Sequence, residues 1–185
     1  MEYFYHYTTA SNWERIKREG LHPGRSIMGK KRIKSDLAYK PAIFALHEPA
    51  PESWLKNDEA FALLLRGIIA NSPGDLVLLK VRLQPGDDVR VGDYEHIWKW
   101  FKAPVWEMFK HANSHNKYCK SVTSVKDGFN LASKTLPEVL CFNSISADRI
   151  EFVEKIPVKT YDDVRAYLAG KRGNNPPSPP KPPRL

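Results

Sequence analysis

Residues 3–21 read YFYHYTTASNWERIKREGL. The first six, Tyr3 to Thr8, are aromatic or β-branched around a single histidine, which is the composition of a strand. Then the period changes. Ser11 followed by Glu14 has the spacing of a capping box, and Gly20 is a C-terminal stop, so a helix is expected over about Asn12–Glu19 with Trp13 and Ile16 on one face. In the strand, residues 4, 6 and 8 share one face and residues 3, 5 and 7 the other. His6 therefore stands beside Phe4 and Thr8. A histidine in such a strand is ordinarily a core residue with a satisfied ring. Whether His6 does more depends on what the rest of the chain brings to it.

Downstream, PAIFAL (41–46) reads as a short apolar strand broken by Pro49 and Pro51. Asn57 can cap a helix running to about Ala70 with an apolar centre, AFALLLRGIIA. DLVLLKVRL (75–83) is the strongest strand pattern, and QPGDD ends it. Asp93 can cap a Trp-rich helical stretch, YEHIWKWFKAPVWEMF, interrupted at Pro104. Residues 113–135, NSHNKYCKSVTSVKDGFNLASKT, show no clear period and read as loop with short strands. EVLCF (138–142) and IEFVEKI (150–156) are further strands, and Thr160 caps a last helix ending at Gly170. Helices cluster early and strands late, without regular βαβ alternation, so the expected class is α+β. Residues 1–170 are expected to form one domain, and 171–185, KRGNNPPSPPKPPRL, a flexible Pro-rich basic tail.

Composition narrows the function classes. The 185 residues are 42% hydrophobic, enough for a sizeable core. No apolar run approaches the ~20 residues that span a bilayer, and there is no basic-then-apolar signal pattern. Cys119 and Cys141 are too few for a disulfide framework. A cytoplasmic monomer is expected, in a host or target-cell cytosol if the protein is delivered. Net charge is +8, but Lys171, Arg172, Lys181 and Arg184 of the tail carry +4 of it. A body this mildly basic permits a nucleic-acid partner without demanding one. The tail's PPSPPKPPR fits a polyproline-binding groove. No GxGxxG follows the first strand and no GxxxxGK[ST] occurs, so neither a Rossmann site nor a P-loop is supported.

The remaining candidates are few. Glu138 opens an apolar strand behind Pro137, which stiffens its approach and suits a carboxylate at a cleft edge. Lys30, Lys31, Arg32 and Lys34 form a basic segment that could hold phosphates. His111, His115 and Cys119 are spaced i, i+4, i+8, but Asn113, Ser114 and Asn116 argue for a loop, so no metal is expected. There is no GxSxG and no local signature around either cysteine.

Taken together, three blocks resemble the ADP-ribosyltransferase superfamily, the NAD-consuming enzymes that include bacterial toxins. YHYT followed by a helix and EGL is similar to the start of its histidine-type members. PAIFAL looks like the family's middle strand. PEVLCFNSISADRIEFV resembles the terminal block in which a glutamate opens a strand. The blocks stand in the family's order over residues 3 to about 155. The resemblance implies a split β-sheet core with peripheral helices, NAD as co-substrate, and transfer of ADP-ribose to a protein or nucleic-acid acceptor with release of nicotinamide. His6 would bond an NAD ribose hydroxyl, with Tyr7 and Thr8 beside it at the nicotinamide or ribose end. Glu138 would be the catalytic glutamate, and Lys31 and Arg32 would meet the pyrophosphate. The family's middle-strand tyrosine has no direct counterpart. Phe44 stands in that strand and Tyr39 five residues earlier. Leu136 occupies the place where arginine-modifying members carry an acid or amide, which disfavours arginine as acceptor. Two other readings are an NAD-dependent RNA 2′-phosphotransferase, which would want arginines beside its first histidine, and a non-enzymatic binding module built on Trp98, Trp100, Trp106 and the tail.

Overall fold

Alternating apolar positions set the layers. In a computed structural model, which describes residues 1–26, 37, 40–72, 74–104, 113–125, 131–158 and 160–173, the strands form two antiparallel sheets. One has β1 (Tyr3–Thr9), β4 (Leu76–Arg82) and β8 (Ile150–Ile156) in the order β1-β4-β8. Its inner ladder runs from Tyr3 opposite Arg82 to Thr9 opposite Leu76. The other has β2 (Arg25–Ser26), β3 (Pro41–Ala45), β7 (Pro137–Cys141), β5 (Val89–Asp93) and β6 (Thr123–Ser124), in the order β2-β3-β7-β5-β6. The fold is α+β.

Because the side-chain period of a strand is 2, each sheet offers one face to the other sheet and one to helices. Phe4, Val77, Leu79 and Val81 of the smaller sheet meet Ile43, Ala45, Val89, Val91, Val139 and Cys141 of the larger, with Ile16 closing one side. The smaller sheet's other face puts Tyr7, Leu76 and Leu78 against α2 (Glu52–Lys56), α3 (Asp58–Asn71) and α6 (Tyr161–Gly173), with Trp54, Phe61, Leu65, Val164 and Leu168 among the buried partners. The larger sheet's other face carries Ala42 and Leu140 under α4 (Glu95–Lys102) and α5 (Ser114–Ser121), which contribute Ile97, Tyr118 and Cys119. Every residue of β7 is thus buried.

The sheets touch at one pair of backbone rungs. Tyr5 N donates to Leu46 O at 2.7 Å and Leu46 N to Tyr5 O at 2.8 Å. On its other edge β1 pairs with β4 over its whole length, and β3 pairs with β7.

Several elements differ from the sequence reading. Helix α1 (Ala10–Glu19) is capped by Thr9, whose Oγ1 accepts from Asn12 N at 3.5 Å, rather than by Ser11. Glu14 does not close a box; it pairs with Lys17 at 2.6 Å. β1 simply runs one residue further, and Thr9 caps well from an extended backbone. Val89–Asp93, unassigned from sequence, is a central strand. Residues 114–121 are a helix, because Asn113 and Ser114 act as a helix start rather than as loop formers. Asp93 lies at a strand end, and the cap position of α4 is Tyr94, although Asp93 Oδ1 does accept from Glu95 N at 3.2 Å. The last helix runs through Gly173, past the expected stop at Gly170. Lys171 reaches Glu154 at 3.0 Å and Arg172 reaches Leu55 O at 2.6 Å, which draws these two residues out of the tail and onto the body.

Gly20 ends α1 at φ +82°, and a Cβ there would lie 2.3 Å from Ile145 O. It is this close approach that lets Leu21 N and Ile145 O bond at 2.8 Å. Gly20→Ala is therefore expected to lower stability by about 2 kcal/mol or more. Urea denaturation checks it, and an unchanged midpoint would contradict the contact.

Candidate functional site

Where the two sheets part, a side chain takes over from the backbone. His6 Nδ1 lies 2.8 Å from Phe44 O, on the strand across the gap. A carbonyl only accepts, so Nδ1 carries the proton and Nε2 is the free lone pair. The protein packed around the ring lowers its pKa, so the imidazole is neutral at pH 7. His6 Nε2 is thus a fixed hydrogen-bond acceptor, held by a side-chain bond that crosses from one sheet to the other beside the Tyr5–Leu46 bridge.

Glu138 is the second residue of β7, buried and opposite Gly92 of β5. It shares a sheet face with Leu140, which is opposite Phe44. The chain leading into it is closely held. Asp93, itself buried, accepts from Leu136 N at 2.9 Å and Thr135 N at 3.0 Å. Tyr94 N donates to Leu136 O at 2.9 Å, and Trp54 Nε1 to Pro137 O at 2.9 Å. Glu138 Oε2 accepts from the Tyr118 hydroxyl. Burial pushes the Glu138 carboxyl up to about 7, and the Tyr118 hydrogen bond opposes that rise. Burial, with the nearby Glu138 charge, pushes the Tyr118 phenol well above its usual range, so it remains an O–H donor.

These residues meet at one cavity of about 1000 Å³. His6, Tyr7 and Thr8 line it from β1, Phe44 from β3 and Glu138 from β7. Among the described residues Glu138 is the sole acid on its wall. Tyr7 is chiefly a core residue: its ring packs edge-on to Phe61, centroids 5.9 Å apart, and its hydroxyl donates to Pro49 O at 2.6 Å. Thr8 is buried at the cavity wall. Lys30, Lys31, Arg32, Lys34 and Tyr39, proposed for the pyrophosphate and the ring, lie outside the described residues, as do His111, Trp106 and residues 174–185 of the tail. Trp98 packs against the buried core, and Trp100 lies against Phe101 and His115 with ring centroids 5.0 and 5.1 Å away. Among the described residues no group of three or more metal-ligating side chains comes together.

Sequence reasoning missed three residues here. Tyr118 was hidden in a segment read as loop, although Tyr118, Cys119 and Val122 form an apolar stripe at helical spacing. Arg15 of α1 and Arg66 of α3 are exposed cations lining the cavity. Each sits on the polar side of an amphipathic helix, where an arginine carries no distinguishing signal. A cavity with a neutral acceptor, a buried carboxyl, an aromatic wall and arginines can bind a ligand that combines hydroxyls, a flat ring and anionic groups. No family model matches the chain, and neither a curated protein nor a solved structure matches it.

The Glu138 environment has a consequence for stability. A carboxyl whose pKa is raised in the folded state stabilises the fold fully below its ordinary value of 4.5, and that contribution is lost as pH rises through about 7. Glu138→Gln remains neutral throughout. Relative to wild type it is expected to gain about 3 kcal/mol between pH 4.5 and pH 8. Thermal melts of both proteins across that range measure the difference, and parallel curves would show that the carboxyl is not held in a desolvating site.

Proposed function

We propose that this protein is an NAD-dependent ADP-ribosyltransferase that releases nicotinamide and transfers ADP-ribose to a macromolecular acceptor, protein or nucleic acid. The observation that carries the reading is Glu138, the single acid among the described residues that line the cavity. Glu138 shares that cavity with His6, Thr8 and Phe44, three residues drawn from two other strands far away in sequence. These are the positions on which the family resemblance rests, and chain order alone does not bring them to one wall.

The chemistry follows from the charges. Breaking the bond between ribose C1′ and the nicotinamide nitrogen returns the electron pair to nicotinamide and leaves a ribose cation. A carboxylate at the ribose 2′-hydroxyl stabilises that cation most when water is excluded, and Glu138 is buried. His6 Nε2, with its tautomer set by Phe44 O, is suited to accept from a ribose hydroxyl and hold the sugar in register. Phe44 offers an aromatic face for the nicotinamide ring. Arg15 and Arg66 are suited to the diphosphate. The acceptor's nucleophile then attacks C1′ and gives its proton to solvent or to a nearby base. Phe101, exposed at 56% although large and apolar, lines the same cavity as His115 and leaves an aromatic margin for an acceptor to approach.

Protein incubated with NAD labelled in the adenylate half, with protein and nucleic-acid acceptors, is expected to release nicotinamide and label one acceptor. Glu138→Gln should reduce release by about two orders of magnitude or more. His6→Ala should raise KM for NAD more than it lowers kcat, since its contact is with bound substrate throughout. Absence of release by the wild type, or equal release by Glu138→Gln, would overturn the reading.

A further inference from the structure

We propose that Tyr118 is a positioning residue for Glu138: its phenol donates to one carboxylate oxygen, so that the other is directed at the ligand and the contact favours the anionic form. The inference rests on the reading of the cavity as an NAD site and extends it to a residue outside the three blocks of resemblance.

Three observations carry it. Tyr118 and Glu138 are both buried, at 1% and 4% exposure, and the Tyr118 hydroxyl donates to Oε2, so Oε1 is the oxygen left to a ligand hydroxyl. The sheet is cut away to make this possible. Gly92, opposite Glu138 on β5, is the residue over which the Tyr118 ring lies; a Cβ there would be 3.0 Å from two ring carbons and 3.1 Å from the hydroxyl. The helical turn that carries Tyr118 is pinned to the next residue of the same strand. Asp93 N donates to Ser121 Oγ at 2.8 Å, and Ser121 Oγ donates to Tyr118 O at 2.7 Å. Ring, backbone and strand are thereby tied into one unit around the carboxylate.

The groups around Glu138 leave that work to Tyr118. Tyr94, between β5 and α4, is a phenol that burial and the Glu138 charge keep protonated. From α5, His115 and Cys119 are near the same wall, and burial lowers the His115 pKa. From β1, His6 is neutral. None of these supplies a positive charge to hold Glu138 as an anion at pH 7. Tyr118 is the donor in direct contact, and a donor to a charged oxygen favours the charged form.

The test is the titration of Glu138 in the full chain, followed by carboxyl-carbon NMR, in wild type, Tyr118→Phe, and a variant with 3-fluorotyrosine at position 118. The fluorinated phenol is a stronger donor of nearly the same shape, so it keeps the test open if Tyr118→Phe folds poorly. Loss of the donor is expected to raise proton affinity at Glu138 about tenfold or more, moving its midpoint up by about one pH unit or more, and the fluorinated side chain to move it down. In NAD turnover, the acid limb of the pH–rate profile should follow the same shifts, with Tyr118→Phe recovering toward wild type at high pH and KM for NAD little changed. A purely structural tyrosine would give a pH-independent loss and an unmoved midpoint, which overturns the proposal. Unmoved midpoints with normal NAD turnover remove Tyr118's part and leave the enzyme reading intact. Shifted midpoints with no turnover by wild type remove the NAD reading and leave Tyr118's hold on Glu138 standing.

Discussion

Two backbone hydrogen bonds, between Tyr5 and Leu46, join the sheets, and the site exists because the joining stops there. A continuous ladder from β1 to β3 would give one larger sheet with its edges satisfied and no gap. β1 pairs along its whole length with β4 on its other edge, and β3 pairs with β7, so the sheets remain separate on either side of this bridge. The unpaired stretch cannot be left bare, since a buried carbonyl without a donor is costly. His6 meets that requirement by donating from Nδ1 to Phe44 O. The same bond fixes the tautomer and leaves Nε2 as an acceptor facing the cavity.

Two buried carboxylates sit at neighbouring strand ends, and their surroundings assign them opposite work. Asp93 accepts from three backbone N–H groups, those of Glu95, Thr135 and Leu136, and is spent on shaping the turn into β7. Glu138, next to it across the sheet, receives a side-chain donor from Tyr118 and lines the cavity. Pro137 lies opposite Asp93 in the register and has no N–H to give. Its carbonyl takes the Trp54 indole instead. The polar groups of the approach are therefore engaged by protein, and Glu138 is the acid left to the cavity.

Much of this was legible in the sequence where local chemistry and packing agree. The order of β1 and α1, PAIFAL, the β4 strand and the strand that carries Glu138 are legible because period and flanking prolines point one way, although the cap of α1 falls on Thr9 and not on Ser11. Val89–Asp93 was missed because VRVGD is five residues long, contains a glycine and follows two aspartates; its pairing with β6 and β7, not its composition, makes it a strand. Helix α5 is not legible in the sequence because Asn113, Ser114 and Asn116 have the composition of a loop. Asn116 Nδ2 donates to Asn113 Oδ1 at 2.7 Å, so these side chains satisfy one another at the helix start. Tyr118 was lost with that helix.

The pattern of what was missed has a physical cause. His6 and Glu138 announce themselves because a polar group inside an apolar strand is locally anomalous. Tyr118 is not anomalous anywhere: an aromatic on a helix is ordinary core, and its use depends on a glycine 26 residues earlier and a glutamate 20 residues later. Arg15 and Arg66 are equally ordinary on their own helices and gain meaning only by lining a shared cavity. Polar residues set into apolar strands strain local rules and can be read one at a time. Residues that position them obey local rules, and only the tertiary arrangement distinguishes them from the core they also build.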